Sequence, residues 1–307
     1  MVMNPASLAE LRETFGDRMQ ENAPLSGYTA ARIGGPADVV VFVRKADELV
    51  QAAGKLWKME VPFVLLGGGS NVLVSDRGVR DVVIINRTRL LRFNLQAEPP
   101  SLHAESGVTP NDIAQRAARL GLTGFEWASS IPGSLGGAVY GNAGAFDGDM
   151  AGNLISLEVF HRQHGHQTWP VDKMEYGYRT SLLKRAHLPV LILSADLALN
   201  HGDPQAIQRK MEQLNTRRRT TQPPGASMGS MFKNPPGDKA GRLIEAAGLK
   251  GKSIGNAMIS TQHANFFINN GQTKAAEMLA LIELAQQAVL KIFGIKLELE
   301  VELIGEW

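Results

Sequence analysis

There is no cysteine among the 307 residues. That absence removes disulfides, thiolate nucleophiles and Cys-based zinc or iron–sulfur sites together, and it suits a reducing compartment. An excess of one charge is also missing. Lys and Arg number 32 against 30 Asp and Glu, a net of +2, so nothing calls for a nucleic-acid backbone or an anionic membrane as partner. No run of about 18 apolar residues occurs, so no membrane-spanning helix is expected. Residues 1–15 carry Glu10 and Glu13 and lack the apolar stretch of an export signal, which makes a cytoplasmic location the expectation. A chain of this length suits two or three domains and can bury a core without a staple. The residue in excess is glycine, with 32 copies that cluster, and clustered glycine brings backbone close to something.

The pattern along the chain is mixed. Residues 39–43, 63–66, 72–74 and 82–85 read as short strands, and 46–59 as a helix with Leu49, Val50, Ala53 and Leu56 on one face. Thr109-Pro110 opens a helix with Ile113, Ala117 and Leu120 on its inner face and Gly121 at its close. Strands follow at 154–161, 167–171 and 190–199. Asp203-Pro204 starts a helix carrying Ile207, Met211 and Leu214 and ending in Arg217, Arg218 and Arg219. Residues 221–229 read as a Pro/Gly/Ser-rich linker and a domain boundary. Thr273 is expected to cap a long helix with Met278, Leu281, Ile282, Ala285, Val289, Ile292 and Phe293 as its stripe. The last strand, 297–303, alternates Leu297, Leu299, Val301 and Leu303 with Glu298, Glu300 and Glu302. The class is α+β with more than one sheet.

Two glycine loops read as a phosphate cradle. Gly67, Gly68, Gly69, Ser70 and Asn71 stand between two strands. Ile131, Pro132, Gly133, Ser134, Leu135, Gly136 and Gly137 form a second loop, followed by Asn142 and Ala143. Glycine lets amide N–H groups approach an anion with no Cβ in the way, and two such loops suit a cofactor with a diphosphate. The competing reading is a pair of tight turns. Neither loop is G-x-G-x-x-G, so a Rossmann site is not expected. Residues 246–253, AAGLKGKS, miss a P-loop by one glycine and lack the preceding strand. His161, His164 and His166 straddle a hairpin turn with no carboxylate pattern beside them, and no metal site is expected.

Eight stretches in fixed order resemble the UDP-N-acetylenolpyruvoylglucosamine reductase (MurB) family. They are ARIGGPAD (31–38), GGGSNVLVSDRG (67–78), IPGSLGGAVYGNAGAF (131–146), YGYRTS (176–181), GSMFKNP (229–235), AGRLIEAAGLKG (240–251), HANF (263–266) and LELEVELIGE (297–306). Together they cover nearly the whole chain, which looks like the shorter, type II form.

The resemblance implies a two-part FAD-binding region of the vanillyl-alcohol oxidase (PCMH) type plus a smaller α+β substrate-binding domain. The boundaries expected are 1–61, with the C-terminal strand 296–307 returning to it, 62–213, and 214–295 for the UDP-sugar. It also implies non-covalent FAD, NADPH as hydride donor and the enolpyruvyl ether of UDP-N-acetylglucosamine as the small-molecule substrate. A monomer is the expectation. By motif position Ser230 is the proton donor, and Arg179 and Glu300 polarise the substrate carboxylate. Tyr178, Lys233 and Asn234 are placed to bind the sugar nucleotide, and Arg217 and Arg219 to meet its diphosphate. From pattern alone Glu300 is a solvated edge residue, Arg179 a surface arginine and Ser230 a loop serine. Two other functions stay open on the residues: a different FAD-dependent oxidoreductase or oxidase on the same scaffold, and a nucleotide binder without catalysis.

Overall fold

The computed structural model describes residues 4–307. Its first sheet has four strands in the order Met19–Pro24, Pro36–Val43, Val79–Asn86, Phe63–Leu66, the last two pairings parallel. Pro36–Val43 is a nearly continuous β-branched run because both faces of the sheet are covered. Val39, Val41 and Val43 pack with Leu49, Ala52, Ala53 and Leu56 of the helix Ala46–Lys58, while Val40 packs on the other side with Leu25, Val74 and Val83. The boundary expected at 61/62 runs through this sheet, since Phe63–Leu66 and Val79–Asn86 both pair within it.

A second sheet of five antiparallel strands runs Gly165–Pro170, Leu154–His161, Val190–Ala198, Ser101–Glu105, Leu91–Asn94. Its strand Val190–Ala198 serves two cores: Leu191 and Leu193 join the first, while Ile192, Ala195 and Leu197 join the core under the helices Pro110–Arg119 and Pro204–Thr221. Leu120, expected on an inner face, is 44% exposed, because it is the C-cap residue after the helix has stopped. The helix Pro204–Thr221 continues past the expected boundary at 213/214, and the linker shrinks to 222–225, since Ala226–Ser230 is a strand.

That strand opens the third sheet, Ala226–Ser230, Phe266–Asn269, Ala257–Ile259, Ser253–Ile254, covered by the helices Ala240–Ala246 and Ala275–Phe293. Near the end of the long helix Ile292 is 55% exposed and lies off the buried stripe. Its start is held from a distance. The N-cap residue is Lys274 rather than Thr273, and the carboxylate of Asp76 accepts from Ala275 N at 2.8 Å and Ala276 N at 3.0 Å. Asp76 thus satisfies two free N–H groups at the positive end of a helix 199 residues away. Asp76→Ala should cost about 1–2 kcal/mol, the scale of a lost N-cap, measured by urea unfolding. An unchanged midpoint would show that the bonds are solvated at no cost.

The C-terminal segment departs from the expected strand. Only Glu302–Ile304 is regular, and it pairs in parallel with Val72–Val74, which lies in the stretch 62–213 rather than in 1–61. Upstream, residues 298–300 run against the third body: Lys233 N donates to Glu298 O at 2.9 Å and Glu300 N to Met231 O at 2.9 Å. The segment therefore crosses from one body to the other and is covered on both sides. Leu297 and Val301 are buried, Leu303 is 40% exposed, and Glu300 loses the solvated face that alternation implied.

Candidate active site

The two glycine loops lie against each other. A Cβ on Gly67 would sit 2.0 Å from Ser134 Oγ, and one on Gly68 2.6 Å from Gly133 Cα. Gly69 has φ +57°, and a Cβ there would meet Tyr28 O at 2.1 Å. Close approach is thus one reason for the glycines. The contact leaves a rim of donors: the N–H groups of Gly68, Gly69, Ser70, Gly133 and Ser134 reach no backbone acceptor among the described residues. Farther along, the N–H groups are engaged. Gly136 N donates to Ser106 O at 2.8 Å, and Gly137 N to Ser134 Oγ at 3.4 Å, where Ser134 caps the helix Leu135–Gly141. Ile131 packs on the core beneath, Pro132 has no N–H to offer, and Ala143 N is bonded to Ala138 O at 2.8 Å.

That short helix also anchors the loop 176–181. Tyr176 Oη donates to Val139 O at 2.7 Å and Ser181 Oγ to Tyr140 O at 2.7 Å. Burial drives the Tyr176 phenol well above the usual range, so it stays a donor. Asn142 sits in the left-handed region at φ 48° as the C-cap. Its side chain faces the protein: Nδ2 donates to Gly177 O at 3.1 Å, and Oδ1 accepts from Ala151 N at 3.1 Å. Its place in this structure is to hold the arginine loop.

Arg179 is itself at φ 55°, a strained conformation for a residue with a side chain, held by the turn Gly177 to Thr180. Its guanidinium is fixed at three points: Nε to Glu300 Oε1 at 2.9 Å, Nη2 to Gly144 O at 2.6 Å, and Nη1 to Asn142 O at 3.5 Å. Burial raises the Glu300 carboxyl above its ordinary value, and the Arg179 charge opposes this without cancelling it. Asn71 supports Glu300 from behind. Asn71 Nδ2 donates to Glu300 O at 2.9 Å, and Asn71 O accepts from Glu302 N at 3.0 Å. The first glycine loop is therefore stitched to the acid.

Ser230 ends its strand opposite Phe266, beyond a register shift that Gly229 permits at φ 75°. It joins the others through the backbone, because Met231 O accepts from Glu300 N. Ser230 lines a cleft of about 310 Å³ with Asn234, Arg242, Gln262, His263 and Asn265. A second cleft of about 570 Å³ is lined by Tyr178, Thr180, Arg185, Lys233, Asn234 and Lys296. Asn234 lies between the two, its Oδ1 capping the helix Ala240–Ala246 through Ala240 N at 3.1 Å. Lys233 pairs with Glu298, and Tyr178 stacks beside Arg179 with the guanidinium 5.2 Å from the ring centre. Arg217 and Arg219 line neither cleft. Both are exposed, Arg217 over the Phe146 ring and Arg219 bonded to Thr216 Oγ1 at 3.4 Å.

Sequence reading missed Arg218, the half-buried arginine between them. The signal was present: 218 falls on the stripe 207, 211, 214 of its own helix. No comparable signal marked the link from Asn71 to Glu300, which spans 229 residues.

Family models match both the N-terminal and the C-terminal part of the chain. A family model for an FAD binding domain matches residues 37–168, and one for the C-terminal domain of UDP-N-acetylenolpyruvoylglucosamine reductase matches 220–304. The reductase of that name from Chloroflexus aggregans is 39% identical over 96% of this chain and 100% of its own. That from Caldanaerobacter subterraneus is 41% identical over 93% of each. The crystal structure of the Thermus caldophilus enzyme superposes with a TM-score of 0.79 at 36% identity, covering 93% of this chain and 99% of that one.

Both glycine loops lie inside the FAD-domain match, and their rim of unengaged N–H groups fits a diphosphate. Gly68→Ala should push the loops apart, since its Cβ would meet backbone. FAD affinity should fall at least about tenfold by fluorescence titration, a cost of about 1.4 kcal/mol or more; retained affinity would place the cradle elsewhere. With both halves matched and relatives aligned along nearly their full length, the chain belongs to the UDP-N-acetylenolpyruvoylglucosamine reductase family.

Proposed function

We propose that this protein reduces the enolpyruvyl ether of UDP-N-acetylglucosamine to the lactyl ether of UDP-N-acetylmuramate, with NADPH as electron source, in the cytoplasmic part of peptidoglycan precursor synthesis. The observation that carries the reading is the Arg179–Glu300 pair at 2.9 Å, with Glu300 N bonded to the carbonyl of Met231, next to Ser230. FAD, when bound at the glycine loops, would supply the hydride chemistry between NADPH and the terminal methylene carbon of the substrate.

The residues manage the charge that follows. As hydride arrives on the methylene, electron density moves to the carbon bearing the carboxylate. Arg179 presents a planar fork to that carboxylate, and its three protein contacts hold the fork in place. A protonated Glu300 adds a donor where an ionised one would repel, and its buried position favours the acid form. Ser230 Oγ then gives its proton to the same carbon. An alcohol this weak donates only because the enolate is strongly basic and held close. Tyr178, Lys233 and Asn234 hold the sugar nucleotide along the larger cleft. The free N–H groups of Gly68, Gly69, Ser70, Gly133 and Ser134 would hold the cofactor, and the body from Ala226 to Phe293 supplies Ser230, Lys233 and Asn234 to the substrate side.

An anaerobic absorption experiment tests the whole reading. Oxidised-flavin bands should bleach with NADPH and return on adding the enolpyruvyl sugar. Bands that bleach and return only with oxygen would make the protein an oxidase on this scaffold. A protein that takes up no FAD would be a nucleotide binder at most.

A further inference from the structure

Glu298, Glu300 and Glu302 stand at alternate positions of the segment that crosses between the two bodies, and each is met by a cation from another element. Lys233 pairs with Glu298, Arg179 with Glu300 at 2.9 Å, and Lys184 with Glu302 at 2.7 Å. In the two outer pairs the lysine is the withdrawn partner. Lys233 and Lys184 are 15% and 16% exposed, while Glu298 and Glu302 keep 72% and 40%. Lysine ordinarily leaves its charge in water, so a lysine more covered than the acid it meets is held there by the fold.

Lys184 has no part in the reduction described above, yet it is built into the same frame. It lies in the short helix Leu182–Ala186, which begins where the arginine loop ends. Ser181 Oγ, fully buried, accepts from Lys184 N at 3.2 Å and donates to Tyr140 O at 2.7 Å, which fixes the lysine to the root of that loop. On the other side Glu302 N donates to Asn71 O at 3.0 Å, and Asn71 Nδ2 to Glu300 O at 2.9 Å. Lys184–Glu302 is thus a second tie between the arginine loop and the crossing segment, beside the tie that Arg179 makes to Glu300.

Glu300 sits among charges of both signs. Burial raises its carboxyl, and among the described residues Arg179, Lys184 and Lys233 oppose this. Glu298 and Glu302 share its segment. Beyond Glu302 lies Tyr140 of the helix Leu135–Gly141, whose phenol is held above its ordinary value by burial and then by the Glu302 charge. Lys233 offsets Glu298 and Lys184 offsets Glu302. A protonated Glu300 then leaves Arg179, of these three cations, with no anion to balance it. Without Lys184 the Glu302 carboxylate would compete for that charge.

We infer that Lys184 is a positioning residue of the active site: by pairing with Glu302 it pins the arginine loop to the crossing segment and offsets a charge that would otherwise engage Arg179. The inference rests on the roles proposed above for Arg179 and Glu300.

The test uses Lys184→Gln, Glu302→Gln and the double variant in the FAD-loaded protein. Anaerobic reoxidation by saturating enolpyruvyl sugar is followed across pH. Each single variant loses the pin, so the low-pH plateau rate should fall about tenfold in each, within the range that a slightly misplaced reacting group costs. The alkaline limb should move in opposite directions. Lys184→Gln leaves an unbalanced anion near Glu300 and carries the limb to higher pH, while Glu302→Gln leaves an unbalanced cation and carries it to lower pH. The double variant should keep the low plateau and return the limb to its wild-type position. A merely structural role would move both limbs alike. Limbs that stay in place, or shift the same way in the two single variants, overturn the inference, as does a wild-type plateau in Lys184→Gln. Glu302 is part-exposed, so Glu302→Gln serves should Lys184→Gln fail to fold, and an unmoved limb in it is then the overturning result. A wild-type flavin that the sugar does not reoxidise, or an alkaline limb that survives in Glu300→Gln, overturns the proposed roles of the catalytic pair as well, and these controls tell the two failures apart.

Discussion

Replacing Ser230 by Ala should leave NADPH-driven bleaching of the flavin at its wild-type rate and slow its reoxidation by the enolpyruvyl sugar by about 10³-fold or more. The hydroxyl is small, and among the described residues Ser230 Oγ bonds to no protein group that its loss would strand. Its neighbours Met231 and Phe232 are held through their backbones, Met231 N to Asn265 O at 2.8 Å and Phe232 N to Asn265 Oδ1 at 3.0 Å, so the strand end should keep its place. The loss then reads out the proton alone. Stopped-flow absorbance separates the two half-reactions. A variant slowed equally in both would make Ser230 a packing or binding residue. Unimpaired reoxidation would pass the donor role to another group.

Much of the scaffold was legible because its signals are local. Phe63–Leu66 and Val72–Val74 are apolar runs cut off by glycine or polar residues, and both strands stand where the pattern put them. Thr109 caps its helix through Asp112 N at 3.1 Å, as a hydroxyl before proline should. The two failures that touch the site region are non-local. Thr273 had the right chemistry for a cap, but Asp76 supplies it from another body, and no window of sequence contains both. The final strand alternates well enough to imply one wet face. It crosses between two bodies instead, which covers Glu300 and leaves Glu298 more than two-thirds exposed.

The site divides in the same way. Motif order placed Arg179, Ser230 and Glu300, and the fold brings Arg179 and Glu300 into contact and Glu300 beside Ser230 in the backbone ladder. Motif order could not reveal that Asn142 serves the arginine loop with its side chain, or that Asn71 serves the backbone of Glu300. Both are polar residues in glycine-rich stretches, and such stretches advertise a ligand. Here the ligand for these two side chains is the protein. The consequence is mechanical: in the proposed function, the loops that would cradle the cofactor also fix the two residues proposed to handle the substrate carboxylate. A displacement of the cradle should therefore misalign the acid as well.

Glu300→Gln is expected to lower the rate of flavin reoxidation by the enolpyruvyl sugar about 10²-fold, the scale of a weakened stabiliser of developing charge, without slowing reduction by NADPH. The pH dependence carries the sharper test. Burial raises the Glu300 carboxyl, so the acid form survives to higher pH than in an open carboxylate. If that acid form is the working one, wild-type reoxidation falls as pH rises through the raised value, and the variant loses this limb. Stability moves in the same sense with pH. A group whose folded pKa is raised favours folding below its unfolded value and loses that contribution as pH rises through the folded one. Ionised Glu300 is then a cost at pH above that raised value, and Glu300→Gln should be at least as stable as wild type there by thermal unfolding. Lower stability at those pH values would mean that the ion pair with Arg179 outweighs burial, and the carboxylate would then work as an anion. Because activity and stability depend on the same proton, a variant that loses rate without losing stability is the signature of an acid held for its chemistry.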